Sequence, residues 1–198
     1  MYTILKPFIV RNELLKKKFR MFTPLEFSHV FKVSDSVTKR YLGKWAKEGF
    51  LIRLRQGLYA LKSDLPSEEE VANRLYQPSY LSFEYALAYY NVLPEMVYVV
   101  TSATSRITRT FNSDSKTFSY LKIKQKAYSG YGMAKIGNKS FLIAEPEKAL
   151  VDYLYFVSIG LKSYNERFNI TDLSREKIVE YAKAYNRPKL NKLIKEQL

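Results

Sequence analysis

The sequence predicts an α+β protein made of two parts, and three observations carry that prediction. Residues 21–61 run as two short amphipathic helical stretches, a glycine stop and two alternating apolar stretches joined by a tight turn. A polar hinge rich in glutamate follows, and beyond it β-rich and helical runs alternate without a repeating order. At 198 residues with 46% apolar content, the chain is long and apolar enough for a core in each part.

The elements of the first part follow in order. Phe8, Ile9, Asn12, Leu15 and Phe19 recur at helical spacing and predict a helix over 7–19. Thr23-Pro24-Leu25-Glu26 is a helix start: the hydroxyl caps, proline takes the first helical position, and Glu26 completes a capping box. Leu25, Val30 and Phe31 are expected to face the core. Ser34 opens a third helix as its N-cap, and Gly49 ends it with a left-handed residue. Stepping about 100° per residue puts Val37, Tyr41 and Trp45 on one face. Ser36, Lys39, Arg40, Gly43 and Lys47 lie opposite, with Lys44 flanking them. The runs 50–54 and 58–61 then pair as strands across Arg55-Gln56-Gly57. Together these elements make a winged helix-turn-helix over residues 1–62.

Charge agrees with that reading. Of the net +14, residues 1–62 hold 14 Lys/Arg against 4 Asp/Glu, and the rest of the chain 19 against 15. Such a concentration is the footprint of a polyanion binder, whereas a merely solubilising surface mixes its signs. The outward face of the third helix suits a major groove about 12 Å wide, and arginines at the hairpin tip suit phosphates or the minor groove. The expected DNA-contacting residues are Ser36, Lys39, Arg40, Lys44, Lys47, Arg53, Arg55 and Gln56. Two readings of Gly43 stand: close backbone approach to DNA, or a weak point in the helix.

Other chemistries find little support. The chain has no cysteine, which excludes disulfides and thiolate ligands. Its single histidine, His29, has no carboxylate cluster near it and reads as a packing or surface residue, so neither a metal nor a cofactor is expected. No apolar run approaches the roughly 18 residues of a membrane span, and residues 1–20 do not form a secretory signal. A cytoplasmic protein without membrane contact is expected.

The second part, residues 63–198, is predicted as a mixed α/β domain with C-terminal helices. Helices are expected over 68–76, from Phe83 after a Ser82 cap, over 147–159 behind Pro146, over 175–185 and over 189–197. Strands are expected over 96–101, 117–123, 128–136 and 140–143, with Gly137-Asn138 as a hairpin turn. The run 102–109 reads as a Ser/Thr-rich loop after a strand. Arg106 and Arg109 there are a possible second phosphate-contacting patch, or solvated arginines on a capped turn. The tyrosines and phenylalanines near Lys122, Lys124 and Lys126 are core and surface fill, or base-stacking platforms.

Four stretches, in this order and spacing, resemble one family. They are Arg53-Leu54-Arg55-Gln56-Gly57-Leu58-Tyr59, then Pro78-Ser79-Tyr80-Leu81-Ser82, then Val97 to Ser102 with Arg106, and finally Ala144 to Asp152. The chain from about Thr23 to Tyr155 is similar to the AbiEi antitoxins of type IV toxin–antitoxin, or abortive phage infection, systems. The resemblance implies a winged-helix repressor that binds double-stranded DNA of its own promoter; because basic winged helices often act in pairs, inverted repeats are expected there. It also implies a C-terminal domain that antagonises a nucleotidyltransferase-like toxin without requiring a stable complex.

Two other functions remain as alternatives: a metal-dependent nuclease of a phage-defence system, and an RNA-binding accessory protein. The carboxylates for a nuclease would be Glu145, Glu147 and Asp152, beside Lys148. Acids at a helix start, however, answer the helix dipole, and Lys148 pairs with Asp152 at i,i+4 spacing. A Gly-rich phosphate loop, a nucleophile elbow and a Cys/His pair are all missing, so no catalytic residue is assigned.

Overall fold

The computed structural model describes residues 5–113 and 116–197. The protein is α+β, with eight α-helices and two sheets among those residues, and it divides into two compact units, Met1–Leu75 and Tyr76–Leu198.

The first unit runs α1 (Pro7–Lys16), β1 (Met21–Phe22), α2 (Pro24–Phe31), α3 (Asp35–Lys47), β2 (Leu51–Arg55), β3 (Leu58–Leu61) and α4 (Glu68–Leu75). The three strands form an antiparallel sheet in the order β1-β3-β2. Val10, Leu14, Phe22, Phe27, Leu42, Trp45, Leu51 and Leu61 make the core. Trp45 is its aromatic centre, with Phe27, Tyr41 and Phe50 around it at centroid distances of 4.8–6.2 Å.

Local chemistry explains the helix ends. At α2 the Thr23 hydroxyl accepts from Glu26 N–H at 3.2 Å while the Glu26 carboxylate accepts from Thr23 N–H at 2.7 Å, a complete capping box. Burial pushes the Glu26 carboxyl up, but the Thr23 N–H and the Arg74 guanidinium outweigh it and hold the group below its ordinary value. At the end of α3, Phe50 N–H reaches the Trp45 carbonyl and Gly49 N–H the Ala46 carbonyl, with Gly49 at a φ of 73°. This is a Schellman closure, and the Phe50–Trp45 ring contact supplies its apolar partner.

Three sequence expectations are corrected in this unit. Helix α1 stops at Lys16, because Lys18 adopts the left-handed conformation and the Phe19 N–H closes on the Leu14 carbonyl. Its buried face is Val10 and Leu14, so Phe8 is 69% exposed. In α2 the core residue is Phe27, and Leu25 is 61% exposed because the first turn projects it outward.

The division into units falls after α4, whereas the polar hinge in the sequence lies before it. Ion pairs hold this segment in the first unit: Arg20 meets Asp64 at 3.3 Å and Glu70 at 3.0 Å, and Arg74 meets Glu26. Arg55 Nε donates to the Leu75 carbonyl at 3.0 Å.

The second unit contains β4 (Ser79–Leu81), α5 (Phe83–Tyr89), β5 (Val99–Thr104), β6 (Arg109–Ser113), β7 (Lys116–Lys122), β8 (Tyr131–Ile136), β9 (Lys139–Ala144), α6 (Pro146–Ser158), α7 (Arg175–Tyr185) and α8 (Pro188–Gln197). Its six strands form one mixed sheet in the order β6-β7-β5-β4-β9-β8. Strands β5 and β7 run parallel, as do β4 and β9, while the hairpins β6/β7 and β8/β9 close the two sides. Helix α5 packs on β5, α6 on β9, and α7 and α8 on α6. Gly137, at a φ of 59°, turns the last hairpin as expected from its sequence.

Two expectations change here as well. The strand expected over 96–101 begins at Val99 and continues to Thr104, so Ser102 and Thr104 are buried strand residues and not part of a loop. Strand β6 was not foreseen, because Arg-Thr-Phe-Asn-Ser is too polar to read as a strand and exists by pairing with β7.

Candidate nucleic-acid interface

Helix α3 presents its basic face because its apolar residues occupy the opposite one. Thr38, Leu42 and Trp45 are buried, Val37 and Tyr41 flank them half-buried, and Ser36, Lys39, Arg40, Gly43, Lys44 and Lys47 are exposed. At about 100° per residue the expected stripe of 37, 41 and 45 drifts around the helix. The buried arc is therefore centred on 38, 42 and 45: Trp45 lies inside as expected, Thr38 and Leu42 were not expected there, and the outward set is exposed.

The cations on this face differ in their commitments. Lys39, Arg40 and Lys47 carry no carboxylate partner among the described residues, and the Arg40 guanidinium lies 5.6 Å from the centre of the Tyr41 ring. Lys44 is 3.8 Å from Glu48, an exposed i,i+4 pair that water screens. Ser36 shares a hydrogen bond with Ser34 at 3.1 Å, so Ser34 occupies the N-cap position without capping through its side chain. A Cβ built on Gly43 meets no atom within 4 Å, so packing inside the protein does not require glycine there.

The hairpin β2/β3 turns at Gln56-Gly57, with Gly57 at a φ of 76° and an irregular register between Arg53 and Arg55. Arg53 is exposed, and its guanidinium has no hydrogen-bond partner among the described residues. Arg55 is different: besides the Leu75 carbonyl it donates to the Gln56 carbonyl at 2.9 Å, which ties its guanidinium to the turn. Gln56 is exposed at the tip.

In the second unit, Arg106 and Arg109 are both exposed, but each lies against an aromatic ring. Arg106 sits 4.6 Å from the Tyr76 ring centre and donates to the Gln77 carbonyl at 3.1 Å, and Arg109 sits 5.3 Å from the Phe111 ring. The pairing of β6 with β7 places Arg109 on a strand and Arg106 in the short connection before it.

The carboxylates considered for metal chemistry are engaged separately. Glu145 pairs with Lys177 at 2.9 Å and accepts from the Tyr181 hydroxyl at 3.1 Å; Lys177, ahead of a smaller opposing effect of burial, holds its carboxyl below the ordinary value. Glu147 accepts from Ser174 N–H at 3.2 Å, at the start of α7. Asp152 is fully buried, with one oxygen facing Lys148 and the Tyr185 hydroxyl (2.5 Å) and the other the hydroxyls of Tyr80 (3.2 Å) and Ser82 (2.8 Å). Burial, then the charge of Asp152, pushes Tyr80 and Tyr185 up, so both remain protonated donors. Among the described residues no group of three or more metal-ligating side chains converges.

The i,i+4 spacing made the Lys148–Asp152 pair visible in the sequence. Tyr80, Ser82 and Tyr185 complete its surroundings from β4, the start of α5 and the end of α7, and no local pattern could have identified them. No protein-family model and no curated protein matches this chain. No helix among the described residues is long and apolar enough to cross a membrane.

Proposed function

We propose that this protein is a DNA-binding transcriptional repressor whose first unit is a winged helix-turn-helix. In this reading α3 is the recognition helix and the β2/β3 hairpin is the wing. The observation that carries it is the exposed face of α3. Four cations, Lys39, Arg40, Lys44 and Lys47, project there opposite the buried Trp45, and Arg53 and Arg55 follow on the next hairpin. A 13-residue helix is about 20 Å long, enough to lie along a major groove with base edges within reach of its outward side chains. Arg40 and Lys39 are assigned to base edges or adjacent phosphates, and Lys44, Lys47 and Arg53 to phosphates. Arg55 supports the wing through its carbonyl contacts and reaches DNA only with its remaining N–H groups.

The resemblance to the AbiEi antitoxins extends this reading. The protein would repress its own operon and antagonise a nucleotidyltransferase-like toxin encoded beside it. The cytoplasmic location follows from that role.

The test is binding of the purified protein to duplex DNA from its own upstream region, against scrambled duplex and RNA, over a salt series. Six phosphate contacts give a log–log salt slope of about −5. A preference of roughly a thousandfold for the upstream duplex supports autoregulation, and equal binding to scrambled duplex refutes it. Rescue of growth by co-expression with the neighbouring gene's toxic product tests the antitoxin role.

A further inference from the structure

Charge in the second unit is not spread evenly. From the start of β5 to the end of β9, residues 99–144, there are eight Lys/Arg and one acid, Asp114, which lies outside the described residues. The rest of residues 63–198 holds 11 Lys/Arg against 14 Asp/Glu, so the positive charge of this half belongs to its sheet. A one-signed concentration on one layer of a domain is the mark of a polyanion surface.

Three of those cations gather at the β6/β7 end of the sheet. Arg109 pairs with Tyr120, and Lys122 lies two residues further along β7, so strand alternation puts Arg109, Tyr120 and Lys122 on one face. Arg109 and Lys122 are then diagonal neighbours, about 7–8 Å apart. Arg106, in the connection that leads into β6, joins them through Tyr76, whose ring centre is 5.8 Å from Phe111 and 5.3 Å from Tyr120. All three cations are exposed, and none has a carboxylate partner among the described residues. Arg106 is also held in place. The Tyr76 hydroxyl donates to the Ile107 carbonyl at 3.1 Å, which fixes the ring that the Arg106 guanidinium covers at 4.6 Å. Arg106 donates one guanidinium N–H to the Gln77 carbonyl at 3.1 Å and its backbone N–H to Thr104 Oγ1 at 3.2 Å. Its other guanidinium N–H groups remain for a ligand.

We infer that this face binds a single-stranded nucleic acid. Arg109 and Lys122 take phosphates, and a base stacks on the outward plane of the Arg106 guanidinium, which the Tyr76 ring backs. A duplex keeps the faces of its bases stacked on one another and would leave that plane unused, so the arrangement favours a single strand over double-stranded DNA. RNA and single-stranded DNA share this chemistry. The inference is separate from duplex reading by α3, since every residue it uses lies in Tyr76–Leu198.

The experiment is fluorescence anisotropy of the full chain with labelled mixed-sequence strands of about 12 nucleotides, as RNA, as DNA and as the DNA duplex. Single strands should bind with a Kd of about 1–100 μM at physiological salt, and the tighter of RNA and DNA identifies the natural source. Arg106→Ala combined with Arg109→Ala should weaken single strands about tenfold or more and flatten their log–log salt slope by about 1.4 units, with duplex binding changed less than about twofold. Lys39→Ala combined with Lys47→Ala, on α3, should do the reverse and weaken the duplex most. Arg106→Lys keeps the charge without the plane and should stay roughly threefold or more weaker than the parent. Lys122→Glu, an exposed change outside the ring cluster, should weaken single strands while the melting temperature holds. Three results would each overturn the inference: single-strand affinity unchanged in both the double arginine variant and Lys122→Glu; equal losses on single strand and duplex; or full single-strand affinity in Arg106→Lys.

Discussion

Replacing Asp152 with Asn should cost the second unit far more stability than replacing its ion-pair partner Lys148 with Met. The asymmetry follows from the contacts of each group. Asp152 has three hydroxyl donors besides the lysine, from Tyr80, Ser82 and Tyr185. Among the described residues Lys148 has only Asp152 and the faces of two tyrosine rings, 5.3 and 5.7 Å away. Asp152→Asn therefore strands a buried ammonium, a loss of about 3–5 kcal/mol, which for a domain of this size lowers the melting temperature by about 10–20 °C. Lys148→Met removes a charge and leaves a carboxylate that is still hydrogen-bonded, at about 1–3 kcal/mol. The pH dependence carries a second signature. Burial lowers the Lys148 pKa, with Asp152 opposing, so the unfolded chain binds more protons between the folded value and the unfolded value near 10.4, and stability rises with pH there. Asp152→Asn removes the opposing charge, and its stability should climb with pH from a lower starting point than in the parent protein. Urea unfolding of both variants, repeated between neutral and alkaline pH, measures all of this. If Lys148→Met proves as damaging as Asp152→Asn, the account of this network is wrong.

Four further outcomes are expected. Arg40→Ala should cost about 1–3 kcal/mol of operator binding and relax specificity at one position, while Lys47→Ala should weaken all duplexes alike and flatten the salt slope by about one unit. Gly43→Ala meets open space, so it should stabilise the first unit by about 0.5–1 kcal/mol in thermal melts. If the same variant also loses operator affinity, Gly43 serves close approach to DNA; unchanged affinity leaves only the weak-helix reading. Lys18→Gly should raise the midpoint of unfolding, because Lys18 holds a φ of 57° that glycine adopts freely, with a gain of about 0.5–1 kcal/mol after the entropy cost in the unfolded chain. Glu26→Gln should flatten the acid limb of stability. The folded pKa of Glu26 lies below 4.5, so its contribution is present above that pH and is lost as pH falls through the folded value, a change that melts between pH 2 and 7 would follow by circular dichroism.

Local rules wrote much of this structure into the sequence. Thr23-Pro24-Leu25-Glu26 specified a capping box, Gly49 a helix stop, Gly137-Asn138 a hairpin and Pro146 a helix start, because each depends on atoms within a few residues. The outward set on α3 was legible for the same reason: a helix that buries Trp45 turns Lys39, Arg40 and Lys47 outward.

Tertiary structure decided what depended on partners far along the chain. Arg-Thr-Phe-Asn-Ser became strand β6 by pairing with β7, and Ser102 and Thr104 became buried strand residues once β5 lay inside the sheet. Arg55 was committed to the Leu75 carbonyl, 20 residues away, which no hairpin pattern could announce. Asp152 acquired Tyr80 and Tyr185 from 72 and 33 residues away. Backbone periodicity and capping are short-range and can be read in sequence order. The partner of a buried polar group is chosen by the packing of whole elements, and only the assembled fold reveals it.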